Sequence, residues 1–146
     1  MQIPEQVYRI TIDTSAEKLW QAITQPEFTK QYWFGSANVS SWEPGADWRH
    51  VGVDSGTVHH VGKVEEIDPP RKLVLSWHNP GDTEDVSRVT FAIAQVEQGV
   101  ELIITHGDFI EDSAMARRVS GGWPKVIAGL KEFLELGKAE ARQGCA

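Results

Sequence analysis

Gly62-Lys63-Val64-Glu65-Glu66-Ile67-Asp68-Pro69-Pro70-Arg71-Lys72-Leu73-Val74-Leu75-Ser76-Trp77 is the stretch that decides the fold. Apolar and β-branched residues stand on both sides of Asp68-Pro69-Pro70, a turn whose prolines fix φ and remove donors. Two strands joined by so short a link run antiparallel, because a parallel pair needs a crossover of a dozen or more residues. Side chains alternate across a strand. Leu73, Leu75 and Trp77 therefore form the bulky face of the second strand, and in the first Val64 shares its parity with Gly62, His60 and Val58.

The same grammar extends in both directions. Strands are expected over 56–67 and 72–78 around the central turn, over 36–40 and 47–51 before it, and over 86–96 and 100–106 after it. Glu43-Pro44-Gly45, Asp54-Ser55-Gly56, Asn79-Pro80-Gly81-Asp82 and Glu97-Gln98-Gly99 punctuate them as turns. Residues 7–12 alternate and read as a first strand, stopped by Asp13-Thr14-Ser15, where Thr14 or Ser15 is placed to cap a helix. Leu19, Trp20 and Ile23 fall on one face of a helix over 16–24, and after Gln25-Pro26 a second short helix is expected over 27–32. Beyond Gly107 the period changes. Val119, Trp123, Val126, Ile127, Leu130, Phe133, Leu134 and Gly137 recur at spacings of three and four. They predict one helix over 113–139, about 40 Å long at 1.5 Å per residue. Gly121-Gly122 weakens it by about 1 kcal/mol per glycine, which points to a close approach or a kink there.

One strand, two short helices, six strands and a long helix make an α+β, two-layer arrangement. A curved antiparallel sheet gripping one helix leaves space for a small ligand wherever the layers do not fully collapse. The length of 146 residues and a hydrophobic content of 40% fit a single domain over 1–146 with a sizeable core. A net charge of −7 argues against nucleic acid or an anionic membrane surface as partner. The single cysteine, Cys145, rules out an intrachain disulfide and reads as an incidental thiol at the chain end. No leader pattern and no apolar run of spanning length stand out, so the expected location is cytoplasmic.

Face sorting picks out the candidate site residues. Val89, Phe91 and Ile93 form one inward set, and Leu102, Ile104 and His106 another. His106 thus shares a face with two apolar residues, either as a hydrogen-bonded strand histidine or as a polar contact or proton acceptor in an apolar pocket. A desolvated imidazole is held neutral, able to donate one hydrogen bond and accept another. His60 either lines the same interior or sits on its rim. His59-His60 point to opposite faces of a regular strand and do not suit one metal ion, so no metal and no cofactor are expected. Glu66, if inward with Val64, is a candidate base; Glu65-Glu66 and Asp82…Glu84-Asp85 otherwise read as solvated charge beside turns. Trp33, Trp48 and Trp77 suit pocket walls, Trp20 and Trp123 fall on helical core stripes, and Trp42 reads as a turn plug.

Together these residues resemble a known family. Ile10-x-Ile12, followed by Leu19-Trp20-x-Ala22-Ile23-Thr24-x-Pro26, is similar to the opening of the SRPBCC superfamily, the START-like or helix-grip proteins. The Gly62–Trp77 stretch, Leu102-x-Ile104-x-His106-x-x-Phe109, and Gly121-Gly122-Trp123 with Leu130-Lys131-x-Phe133-Leu134-Glu135 resemble the branch related to the activator of the Hsp90 ATPase. The resemblance implies a curved seven-stranded antiparallel sheet around a long C-terminal helix, as in the birch-allergen fold. It also implies a hydrophobic cavity between the layers, with Trp33, Trp77, Phe91, His106, Trp123 and Ile127 on or near it. Trp48 and His60 complete the expected ligand-binding set. The expected function is binding of a small apolar, lipid-like or aromatic molecule. The rivals are a cyclase, dehydratase or hydrolase using the same cavity with His106 or Glu66 as base, and a chaperone-cofactor module. Chaperone activators carry a further N-terminal domain for which this chain has no room, so a chaperone partner is not favoured. Antiparallel edge strands leave a homodimer open.

Overall fold

The computed structural model describes residues 4–144, with side chains described for residues 4–136; Cys145 lies outside them. The elements follow the order β1 (Gln6–Ile12), α1 (Ala16–Thr24), α2 (Pro26–Tyr32), β2 (Ser36–Ser40), β3 (Asp47–Gly52), β4 (Val58–Asp68), β5 (Lys72–Trp77), β6 (Ser87–Val96), β7 (Gly99–Gly107) and α3 (Ala114–Gly144). All seven strands form one antiparallel sheet in the order β1-β7-β6-β5-β4-β3-β2. The two short helices carry the chain from one edge, β1, to the other, β2. This is the α+β helix-grip architecture expected from the sequence. No helix among the described residues is long and apolar enough to cross a membrane.

Local chemistry explains the boundaries. Ser15, not Thr14, caps α1, its Oγ accepting from the Lys18 amide at 3.2 Å. Pro26 opens α2 at its first helical position, where a missing N–H costs nothing. At the start of α3, Ser113 Oγ accepts from the Ala116 amide at 3.0 Å and donates to Asp85 Oδ1 at 2.6 Å. The other Asp85 oxygen accepts from the Met115 amide at 3.0 Å. Asp85 is thus the carboxylate that docks the α3 N-terminus onto the β5–β6 loop rather than a solvated charge. It satisfies a donor the helix leaves open and suits the positive end of its dipole.

The inward faces of β5, β6 and β7 are as the alternation predicts, with Leu73, Leu75, Trp77, Val89, Phe91, Ile93, Leu102, Ile104 and His106 all buried. They pack against Val119, Trp123, Val126, Ile127 and Leu130 of α3 in one core. Gly62 fits because β4 there has no room for a side chain. A Cβ would lie 1.9 Å from the Ser76 carbonyl oxygen and 2.6 Å from Trp48 Nε1, the two atoms joined by a 2.7 Å hydrogen bond.

β4 departs from simple alternation twice. Opposite β3, His50 pairs with His60 but Val51 pairs with Val58, which leaves His59 as an extra residue. Opposite β5, Val64 pairs with Leu75 but Glu66 pairs with Val74. Each is a β-bulge, and a bulge shifts parity by one. The second turns Glu66 outward, where it is exposed and meets Lys72 Nζ at 3.1 Å. The expectation of an inward carboxylate beside Val64 is therefore overturned.

Helix α3 runs unbroken through Gly121, Gly122 and Pro124. The close approach expected at the paired glycines falls instead at Gly129, where a Cβ would stand 3.2 Å from the Tyr32 carbonyl oxygen. At Gly121 and Gly122 a Cβ would meet nothing within 4 Å.

Candidate functional site

The open space at Gly122 belongs to a cavity of about 400 Å³ between the β2–β5 half of the sheet and the first turns of α3. Its sheet wall is Ser36 of β2, His50 of β3, His59 and His60 of β4, and Trp77 of β5. Its helix wall is Arg118, Val119, Gly122, Trp123 and Val126, and Trp33 and Phe34 close one end from the α2–β2 turn. Three indoles meet there: Trp33 lies 6.3 Å from Trp77 and 5.5 Å from Trp123, and Trp77 lies 5.7 Å from Trp123 between ring centroids. Phe34 stands at the rim, two-thirds exposed at 66%, with a backbone φ of +52°. A left-handed conformation is costly for a non-glycine residue and recurs at ligand clamps.

Of the residues expected at the site, Trp33, His60, Trp77 and Trp123 line this cavity. Trp48, Phe91, His106 and Ile127 are buried behind it and are not part of its lining. Trp48 leans on Trp77 at 4.7 Å, Phe91 packs edge-on to Trp123 at 6.1 Å, and Ile127 belongs to the core under α3.

His106 is fully buried, and both its nitrogens are committed. Trp123 Nε1–H donates to His106 Nδ1 at 3.0 Å. An indole nitrogen can only donate, so Nδ1 carries the lone pair and Nε2 the proton. The 2.7 Å contact to Ser87 Oγ is then a donation from His106. Ser87 in turn donates to the Trp77 carbonyl at 3.0 Å. Burial, and then the nearby His60, hold the His106 pKa at about 3, against a smaller opposing influence of Asp85. This imidazole is a neutral link in a closed chain.

The imidazoles of the cavity differ. Asn38 Nδ2 donates to the Ile23 carbonyl at 3.2 Å, which fixes Asn38 Oδ1 as an acceptor. His50 Nδ1, 2.7 Å away, must therefore be its donor. His50 Nε2 keeps its lone pair and has no protein partner among the described residues. Burial, then His60 and His59, press the His50 pKa down to about 3. In His60 the value falls to about 4 through burial, Arg118 and His59. Three buried polar atoms around this wall make no hydrogen bond: His60 Nδ1, Trp77 Nε1 and Asn79 Oδ1. The Asn79 side chain is near enough to favour protonated His60 but falls outside bonding geometry.

His59 reaches the cavity although its neighbour His60 does too. The bulge in β4 is the cause, and no periodicity in the sequence announces it. The His50 ring lies 5.8 Å from His60 and 6.3 Å from His59, yet among the described residues no group of three or more His, Cys, Asp or Glu is arranged to hold a metal ion. Sequence reasoning also passed over Ser36, His50, Phe34 and Arg118. Parity with Trp48 on β3 was the available signal for His50, and a helical offset of five from Trp123 was a weak one for Arg118.

Comparison with known proteins agrees with this architecture. Residues 13–135 match the family described as Activator of Hsp90 ATPase homolog 1-like protein. Protein MLL2253 from Mesorhizobium loti superposes with a TM-score of 0.77 at 24% identity, over 90% of this chain and 97% of its own. The Aha1 dimer from Colwellia psychrerythraea gives 0.75 at 23%, over 93% and 99%. PFC0360w, an HSP90 activator from Plasmodium falciparum, gives 0.68 at 22%, over 82% and 86%. No curated protein matches the sequence. At these identities the structural likeness is one of fold, whereas the family match spans most of the chain: it belongs to the Activator of Hsp90 ATPase homolog 1-like protein family.

Proposed function

We propose that this protein binds a small, largely apolar aromatic molecule in the cavity between the sheet and α3. The observation that carries this reading is the cavity itself: about 400 Å³ of space walled by Trp33, Trp77 and Trp123 beside the hydrophobic core. The space is a cleft open to solvent on one side, with the exposed side chains of Phe34, His59 and Arg118 among its lining. It falls in the range of small-molecule pockets and holds about 13 waters' worth of volume at ~30 Å³ each, room for one or two fused rings.

The test is titration of the ¹⁵N-labelled protein with 2-naphthol. The expected result is saturable shifts of the Trp33, Trp77 and Trp123 indole N–H signals, lost in Gly122→Leu, whose side chain enters open space. Saturable binding with unmoved indoles, or binding that survives Gly122→Leu, would overturn the reading. Enzyme action through His106 or Glu66 gains no support, since one is bonded at both nitrogens and the other faces solvent.

A second reading, contact with an Hsp90-type chaperone or with a second copy of the chain, draws on the family match and on the activator and the dimer among the structural neighbours. Stimulation of a chaperone's ATP hydrolysis by the purified chain would support it, and none at equimolar chain would count against it.

A further inference from the structure

The cavity's polar groups point beyond an apolar occupant. From them we infer that the ligand is a hydroxylated aromatic acid, its carboxylate held by Arg118 and its hydroxyl donating to His50 Nε2. This rests on the cavity being a binding site and specifies what enters it.

Charge is the first observation. The chain carries 21 acidic residues against 14 basic ones, yet among the described residues none that lines the cavity is acidic. Arg118 lies in the wall, exposed, with no ion pair to any described residue. The side chains of Arg71, Arg88 and Arg117 meet carboxylates within 3.1 Å; Arg9 and Arg49 are also without an ion pair among the described residues, but neither lines the cavity. The Arg118 field already reaches inward, since it helps keep His60 neutral. A guanidinium with five donors and a planar fork is matched by a carboxylate.

The second observation is a tautomer. The chain Ile23 carbonyl, Asn38, His50 turns the lone pair of Nε2 on a neutral imidazole toward the open cavity, where it is free to accept. An aromatic ether or ketone has no proton to give that lone pair; a phenolic hydroxyl has. The acid and the hydroxyl therefore answer two separate groups on opposite walls, Arg118 on α3 and His50 on β3, with the ring system between them against Trp77 and Trp123.

Calorimetric titration of the whole chain with three probes decides the matter: 6-hydroxy-2-naphthoate, its carboxamide, and 6-methoxy-2-naphthoate. The hydroxy acid is expected to bind at least tenfold more tightly than either of the others. Arg118→Met, at an exposed position, should bring the hydroxy acid down to the affinity of the amide and leave the amide unchanged. Gly122→Leu should abolish all binding. Equal affinities of acid and amide, with Gly122→Leu still blocking both, would overturn this inference and leave the cavity reading standing. An acid preference indifferent to Arg118→Met would overturn it as well. Binding indifferent to Gly122→Leu, or no binding of any probe, would remove both.

Discussion

Two groups of histidines, on either side of Trp77, are built on opposite plans. His106 on β7 is bonded at both nitrogens, between the Trp123 indole and the Ser87 hydroxyl, and the chain ends on a backbone carbonyl. His50 and His60, on β3 and β4, are bonded at one nitrogen and at none. The Trp77 ring touches all three. Burial depresses all three pKa values, so electrostatics alone does not distinguish them. Satisfaction does. A buried polar group with its partners in place specifies the core, and one left without them carries a desolvation cost that a ligand can relieve.

The largest effect should come from breaking the closed group. His106→Leu leaves the Trp123 N–H without an acceptor in the core and removes the donor to Ser87. A loss of about 2–3 kcal/mol is expected, read as a lower midpoint of urea unfolding at pH 7.5. A loss under about 1 kcal/mol would mean that the chain of bonds is not what holds β6, β7 and α3 together.

Acid should act on both groups. The three histidines are neutral in the fold, with pKa values of about 3, 4 and 3, while unfolded histidine titrates near 6.5. Between pH 6.5 and 4 the unfolded chain binds more protons, so stability falls as pH falls through that window and is level above about pH 7. The slope reaches up to about 1.4 kcal/mol per pH unit for each histidine. Urea unfolding at pH 7.5, 6 and 5 measures it, and His106→Leu should make it shallower. A flat profile from pH 7.5 to 5 would show that these imidazoles are hydrated in the folded state.

Asp85→Ala tests how the helix wall is held over the sheet wall. Losing the two acceptors that bind Ser113 and Met115 should cost about 1 kcal/mol, and protection of the first α3 amides from hydrogen exchange should fall more than that of β6. Equal losses in both would mean that the α3 start has no separate anchor.

How much of this was legible in the sequence follows from the range of each signal. Alternation and helical spacing are local, so Leu73, Leu75 and Trp77, the short helices and the long α3 were all readable. The inward position of His106 was readable too. Its role was not, because Ser87 and Trp123 become its partners only once β6, β7 and α3 meet. The β4 bulges defeat parity outright: one added residue brings His59 into the cavity wall and the other takes Glu66 out of it. Gly122 was visible as a weakness in the helix, but that it faces open space depends on where His50, His60 and Trp77 come to lie.

The smallest effect in stability should come from the open group, and it is the sharpest test of the contrast. His60→Leu removes a buried Nδ1 that has no partner and replaces the ring with an apolar side chain against Trp77. Deleting an unsatisfied group spares its desolvation cost, so the variant should match the parent or gain up to about 1 kcal/mol, where the corresponding change at His106 loses two or more. Asn79 Oδ1 gains nothing and loses nothing, since it is already unpaired. The acid slope should shallow as it does for His106→Leu, because one depressed imidazole is gone in either case. Opposite signs in stability at pH 7.5 with similar changes in pH slope would separate bonding from burial. A loss at position 60 comparable to that at 106 would show that His60 is held by its surroundings after all, and that the two groups of histidines differ in position rather than in kind.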